Sequence, residues 1–144
     1  MIVSQILGQK GADVATVPTD ATVADVLAEL REYGIGALVV SDDGRTIAGI
    51  ISERDVVRGF ADNGAAMLET RVADVMTAEV ITCEKKTTVD HLMAMMTERR
   101  IRHVPVVEDG VLVGIISIGD VVKSRVRELE TETEQLADYI THGR

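Results

Sequence analysis

The nine residues GIISERDVV at positions 49–57 return as GIISIGDVV at positions 114–122. Seven of the nine positions are identical, and the copies lie 65 residues apart. A phrase this long, recurring in register with its surroundings, means that one structural unit has been built twice. The repeat extends well beyond the phrase. At an offset of 66, residues 14–40 lie over residues 80–106, so that Thr16 meets Thr82, Thr22 meets Thr88, Val23 meets Val89 and Ile35 meets Ile101. One extra residue near Arg45 and Thr46 changes the offset to 65. Upstream, VSQILG lies over VADVMT, with three more residues in the first copy around positions 9–11. The units are therefore residues 2–61 and 72–127, with a linker at 62–71 and a tail at 128–144.

Both units read the same way. VATV and VITC read as short strands. Thr22 and Thr88 have the chemistry of helix N-caps. Behind them, Val23, Val26, Leu27 and Leu30 recur at helical spacing, as do Val89, Leu92, Met93 and Met96. IGALVV and IRHVPVV read as buried strands, SDDG and EDG as turns, and TIAGIIS and VLVGIIS as second strands. Each second strand leads into a helix starting at Ser52 or Ser117. The expected fold is α/β (α+β): two β-α-β-β-α motifs related by a pseudo-two-fold axis. A unit of about 60 residues has a marginal core alone, so the two are expected to pack together.

Composition narrows the function. The chain carries 15 basic and 24 acidic residues, a formal charge of −9, which argues against nucleic acid or an anionic membrane as a main partner. The chain has three aromatic residues (two Tyr, one Phe and no Trp), so the core must be aliphatic. The single cysteine, Cys83, allows no intramolecular disulfide and reads as a buried thiol. The first residues lack a signal-peptide layout and no apolar run suits a membrane span, so the expected location is cytoplasmic. The three histidines and Cys83 have no zinc-ligand spacing, and neither a Walker loop nor a G-x-S-x-G elbow occurs. The expectation is a protein that is not an enzyme and carries no catalytic cofactor or metal.

The doubled G-h-h-S-x-x-D-h-h phrase (h, apolar), RRIRHVPVVEDGVLVGIIS, and DVMT followed by VIT together resemble a tandem pair of cystathionine-β-synthase-type (CBS) domains. This arrangement is called a Bateman module. The resemblance covers almost the whole chain, and the ending resembles small stand-alone bacterial members. It implies an adenosine-containing ligand, AMP, ADP, ATP, S-adenosylmethionine or NAD(H), whose binding reports energy or redox state to an effector protein.

Ser-x-x-Asp at a helix start has two readings. Ser52 with Asp55, and Ser117 with Asp120, match a capping box, with the carboxylate favoured at the helix N-terminus by ~0.3–1 kcal/mol. The same place suits a nucleotide, because free N–H groups attract phosphate and a carboxylate can accept from a ribose diol. The resemblance assigns Asp55 and Asp120 to ribose, and Ser52 and Ser117 to phosphate or ribose contact. It places base contacts on backbone before each unit's first strand, Thr77 to Val80 for one cleft and Gly8 to Ala15, including Ala12, for the other. Each cleft would then combine both repeats. Leu38, Val39, Val104 and Pro105 are expected to line the adenine slot beside Ile50 and Ile115. The candidate cations for phosphate are Arg54, Arg58, Arg102, His103 and Lys123. His103 reads equally as a structural histidine, and alternation sends it and Arg102 to opposite faces. Arg54 has no counterpart in Ile118-Gly119, so the cleft with Asp55 is expected to suit phosphate better.

The tail carries Val122, Val126, Leu129, Thr133, Leu136 and Ile140 at alternating spacings of four and three, an amphipathic helix. It reads either as packed on its own module or as a seam in a homodimer, the state family modules commonly adopt. A module serving only assembly, with empty clefts, is the alternative function.

Overall fold

A computed structural model describes residues 1–142. The elements run α1 (Val3–Lys10), β1 (Thr16–Val17), α2 (Val23–Tyr33), β2 (Ala37–Val40), β3 (Gly49–Ser52) and α3 (Glu53–Asn63). A 3-10 turn (Gly64–Glu69) then leads to α4 (Val72–Val75), α5 (Val89–Arg99), β4 (His103–Glu108), β5 (Val111–Ser117) and α6 (Ile118–His142). One sheet has the order β1-β2-β3, with β1 parallel and β3 antiparallel to β2. The other is the antiparallel pair β4-β5. This is the mixed α/β architecture expected. The final helix is continuous with the tail, of which residues 143 and 144 lie outside the described residues.

The expected strand VITC is reduced to one parallel bridge between Cys83 and Val106. The cause is Pro105. In the first repeat Val39 N–H donates to the Ala15 carbonyl, extending β1 backwards. The equivalent residue of the second repeat is Pro105, which has no N–H, so the ladder stops at Cys83. The cysteine is buried as expected, and burial pushes its thiol up to about 11.

The two first helices are exchanged between repeats. Val3, Ile6 and Leu7 of α1 belong to the core formed by Cys83, Val89, Leu92, Met96, Val104, Val106, Ile116 and Val121 of the second repeat. Val72 of α4, with Val75 and Met76, packs in the first core beside Val17, Val23, Val26, Leu38, Val40 and Ile51. Reciprocal backbone bonds fix both crossings. Val3 N–H donates to Thr87 O at 2.8 Å and Val89 N–H to Met1 O at 3.0 Å. Val72 N–H donates to Ala21 O at 2.8 Å and Val23 N–H to Thr70 O at 2.9 Å. The segment expected as a linker also has a packing role, because Met67 is fully buried against Gly59 in the first core.

The exchange explains the glycine that opens the repeated phrase. A Cβ on Gly49 would stand 2.5 Å from Met76 Sδ and 2.9 Å from the Thr77 carbonyl oxygen. A Cβ on Gly114 would stand 2.7 Å from Leu7 Cδ2. Leu7 and Met76 are equivalent residues of the exchanged helices, so each glycine admits the other repeat's helix. The Gly49→Ala substitution should therefore cost about 1–3 kcal/mol, because backbone must move as well as side chain. Gly8→Ala, in a helix and with open space at the Cβ position, should be neutral or stabilising by up to ~1 kcal/mol. Urea denaturation of both variants checks the contrast.

Candidate functional site

The helix starts that the repeated phrase marks are closed by capping boxes, as the spacing expects. Ser52 N–H donates to Asp55 Oδ2 at 2.9 Å, and Asp55 N–H donates back to Ser52 Oγ at 3.3 Å. Ser52 Oγ also donates to Asp55 Oδ2 at 3.1 Å. Ser117 and Asp120 repeat the reciprocal pair at 2.9 and 3.1 Å. These bonds employ one carboxylate oxygen, Oδ2, in each box. Oδ1 of Asp55 faces only Thr77 Oγ1, at 3.5 Å, the outer limit of a hydrogen bond. Capping and ligand contact are therefore compatible at Asp55.

Thr77 reaches Asp55 because α4 has crossed from the second repeat. Immediately after α4, Thr77 pairs with Ile50 through both backbone groups, each at 2.9 Å. Ser52 and Asp55 of one repeat thus stand beside Thr77 of the other. Val80 follows in the same extended segment and is half-buried.

The strands divide their expected contributions by alternation. Leu38 and Val104 point into the two cores and can offer a ligand only backbone groups. Val39 and Pro105 are buried on the opposite faces of their strands, paired with Ile50 and Ile115. Those four residues form one apolar pair in each sheet, on the face turned from that sheet's core. Ala12 lies exposed after α1.

Arg54 turns away from Asp55 and donates to the Arg100 carbonyl at 3.2 Å, at the left-handed C-cap of α5. Arg58, Arg102 and Lys123 are exposed. The cation that reaches a capping carboxylate is Lys10, which the sequence reading did not select. Its Nζ lies 2.7 Å from Asp120 Oδ2 and 2.7 Å from the Ile115 carbonyl oxygen. A lysine charge thus stands at the second capping box. Despite burial, Lys10 and the Ser117 bonds hold the Asp120 carboxyl below its ordinary value. The one available signal was the three-residue excess around positions 9–11, which lengthens α1 to eight residues against four in α4.

His103 is half-buried at the start of β4, its ring against Gly36 of the first repeat. Arg102, its neighbour, is exposed, as alternation requires. Burial holds the imidazole below its ordinary value of 6.5, against the attraction of Glu53 and Asp120 and with the repulsion of Lys10 and Arg102. The unfolded chain takes up this proton first as pH falls, so stability declines as pH drops below about 6.5. The His103→Gln variant should show a flatter fall of melting temperature between about pH 7 and 5. An unchanged slope would assign the effect to other groups.

The CBS domain family matches this chain twice, over residues 3–62 and 72–127. A crystal structure of a CBS-domain protein from Agrobacterium tumefaciens superposes with a TM-score of 0.84 at 48% identity, covering 87% of this chain and 99% of that one. A CBS domain protein of Pyrobaculum aerophilum, complexed with AMP, superposes at 0.76 with 29% identity over 92% and 99% of the chains. A CBS domain-containing protein of Arabidopsis thaliana, named as mitochondrial, is 42% identical over 129 residues, 87% of this chain. This chain spans 63% of that relative's length. No helix among the described residues is long and apolar enough to cross a membrane. With both repeats matched and the fold shared, the chain belongs to the CBS domain family and carries that domain in tandem.

Proposed function

We propose that this protein is a regulatory module, not a catalyst, that binds an adenosine nucleotide between its repeats and signals occupancy to an effector protein. The observation that carries the reading is Asp55 at the start of α3, with Oδ1 open and the Thr77 segment of the other repeat beside it. A carboxylate so placed can accept both hydroxyls of a ribose while the helix N-terminus favours phosphate. Val39, Pro105, Ile50 and Ile115 offer apolar contact for a base, and Arg58, Arg102, His103 and Lys123 are the cations within the proposal. The AMP complex of the Pyrobaculum relative supports the ligand class. The units would be residues 2–61 and 72–127, and the setting the cytoplasm.

The ligand test uses AMP, ATP and NADH separately against the full chain. At one hundred times the dissociation constant a bound ligand adds about 2.7 kcal/mol, which for this size raises the melting temperature by roughly 5–10 °C. Asp55→Ala should abolish most of the AMP shift. If all three ligands leave melting unchanged at millimolar concentration, the assembly-only alternative takes over. If Asp55→Ala lowers stability but not affinity, the carboxylate is a cap alone.

Assembly is the second part of the proposal, favoured by α6. Val122, Val126, Leu129, Leu136 and Ile140 are each about half or more exposed along one helix. Only Val121 and Ser124 of α6 are buried. Thr133, within the stripe, turns its hydroxyl back to the Leu129 carbonyl at 2.9 Å. The reading packed on its own module leaves this stripe uncovered, whereas a homodimer would bury it. Sedimentation should show a dimer for the full chain and a monomer for a chain shortened after Lys123. A dimer surviving the truncation would remove α6 from the interface.

A further inference from the structure

The two clefts share their capping boxes and differ in what crosses to meet them. In the first, Ile50 O accepts from the backbone N–H of Thr77 at 2.9 Å, and Asp55 Oδ1 faces the Thr77 hydroxyl at 3.5 Å. In the second, the equivalent carbonyl, Ile115 O, accepts from Lys10 Nζ at 2.7 Å, and Asp120 Oδ2 pairs with the same ammonium at 2.7 Å. One lysine side chain therefore meets the carbonyl that a backbone group meets in the first cleft, and also the capping oxygen Oδ2 of the carboxylate, whereas the Thr77 hydroxyl faces Oδ1 of Asp55. It can do so because α1 runs on to Lys10, whereas α4 ends at Val75 and leaves Thr77 extended. Gly8, equivalent to Thr77, lies inside α1 and makes no bridge to Ile115.

We infer that Lys10 is the resident occupant of the second cleft and restricts this chain to one adenosine ligand, held at Asp55. The inference rests on the adenosine reading above. A ribose diol that uses both oxygens of Asp120 must compete at Oδ2 with a charge-assisted bond, which outranks a bond between neutral groups. If the ammonium leaves, Ile115 O loses its donor as well. Lys10 and Asp120 side chains retain 29% and 22% of their exposure, so the pair is shielded but not sealed. At Asp55 a ligand displaces only a long contact with a hydroxyl. The clefts thus differ through the crossing segment as well as through the variable pair within the repeated phrase.

Calorimetric titration of the full chain with AMP tests this. The wild type should bind one AMP per chain, lost in Asp55→Ala and retained in Asp120→Ala. Lys10→Met keeps the apolar stem without the charge, and should bind a second AMP or strengthen a weak second site at least tenfold. Lys10→Gln, which keeps a donor for Ile115 O, should act in the same direction and covers the case in which Lys10→Met unfolds. Two equal sites in the wild type, or a stoichiometry unchanged in both lysine variants, would overturn the inference while leaving the adenosine reading intact. Weaker AMP binding in both lysine variants would make Lys10 a phosphate contact and also overturn it. If AMP gives no heat with the wild type or any variant, the adenosine reading fails, and this inference with it.

Discussion

Everything in this module depends on the exchange of two short apolar helices. Neither sheet carries a complete core of its own. The second core is closed by Val3, Ile6 and Leu7, and the first by Val72 with Val75 and Met76. Burying a side chain of this kind contributes about 1.5–3 kcal/mol, so each exchanged helix is a large part of a marginal stability. The geometry of both clefts follows. A helix that crosses to the other sheet must deliver its C-terminal end beside the other repeat's second strand and the helix that follows it. That is how Thr77 arrives at Ile50 and Asp55, and Lys10 at Ile115 and Asp120.

The local half of this architecture was legible in the sequence. Thr22, Thr88, Ser52 and Ser117 cap helices because capping depends on residues within one turn, and the doubled phrase put equivalent caps in register. The apolar face of VSQILG was also visible, but periodicity states only that a face must be buried, not against which sheet. The same limit hid the glycine of the phrase, whose partner is a side chain from the other repeat. VITC failed as a strand through a donor missing elsewhere, at Pro105. Lys10 went unnoticed because a long flexible side chain chooses its partner in space, and nothing in the local sequence announces that choice. For the same reason Arg54, adjacent to Asp55 in the chain, turned instead to the Arg100 carbonyl.

On the proposed function, the capping box and the ligand site are one object with two employments. A carboxylate has two oxygens, and the box uses one. What else the carboxylate meets, a hydroxyl at Asp55 Oδ1 or an ammonium at Asp120 Oδ2, is decided by the segment that crosses above it. A family fold of this kind can change its binding behaviour without touching the repeated phrase, by altering the length of a helix that begins in the other repeat. The three residues around positions 9–11 are such a change.

The exchange also has an order in time. During synthesis α4 emerges after most of the first core, so that core can close when residue 76 leaves the ribosome. The second core needs α1, made ahead of both sheets, but its strand β5 follows more than a hundred residues later. Until then Val3, Ile6 and Leu7 have no native partner. The nascent chain must carry α1 as an unpaired apolar segment until the second repeat is made, and two such chains on neighbouring ribosomes offer each other the same vacancy.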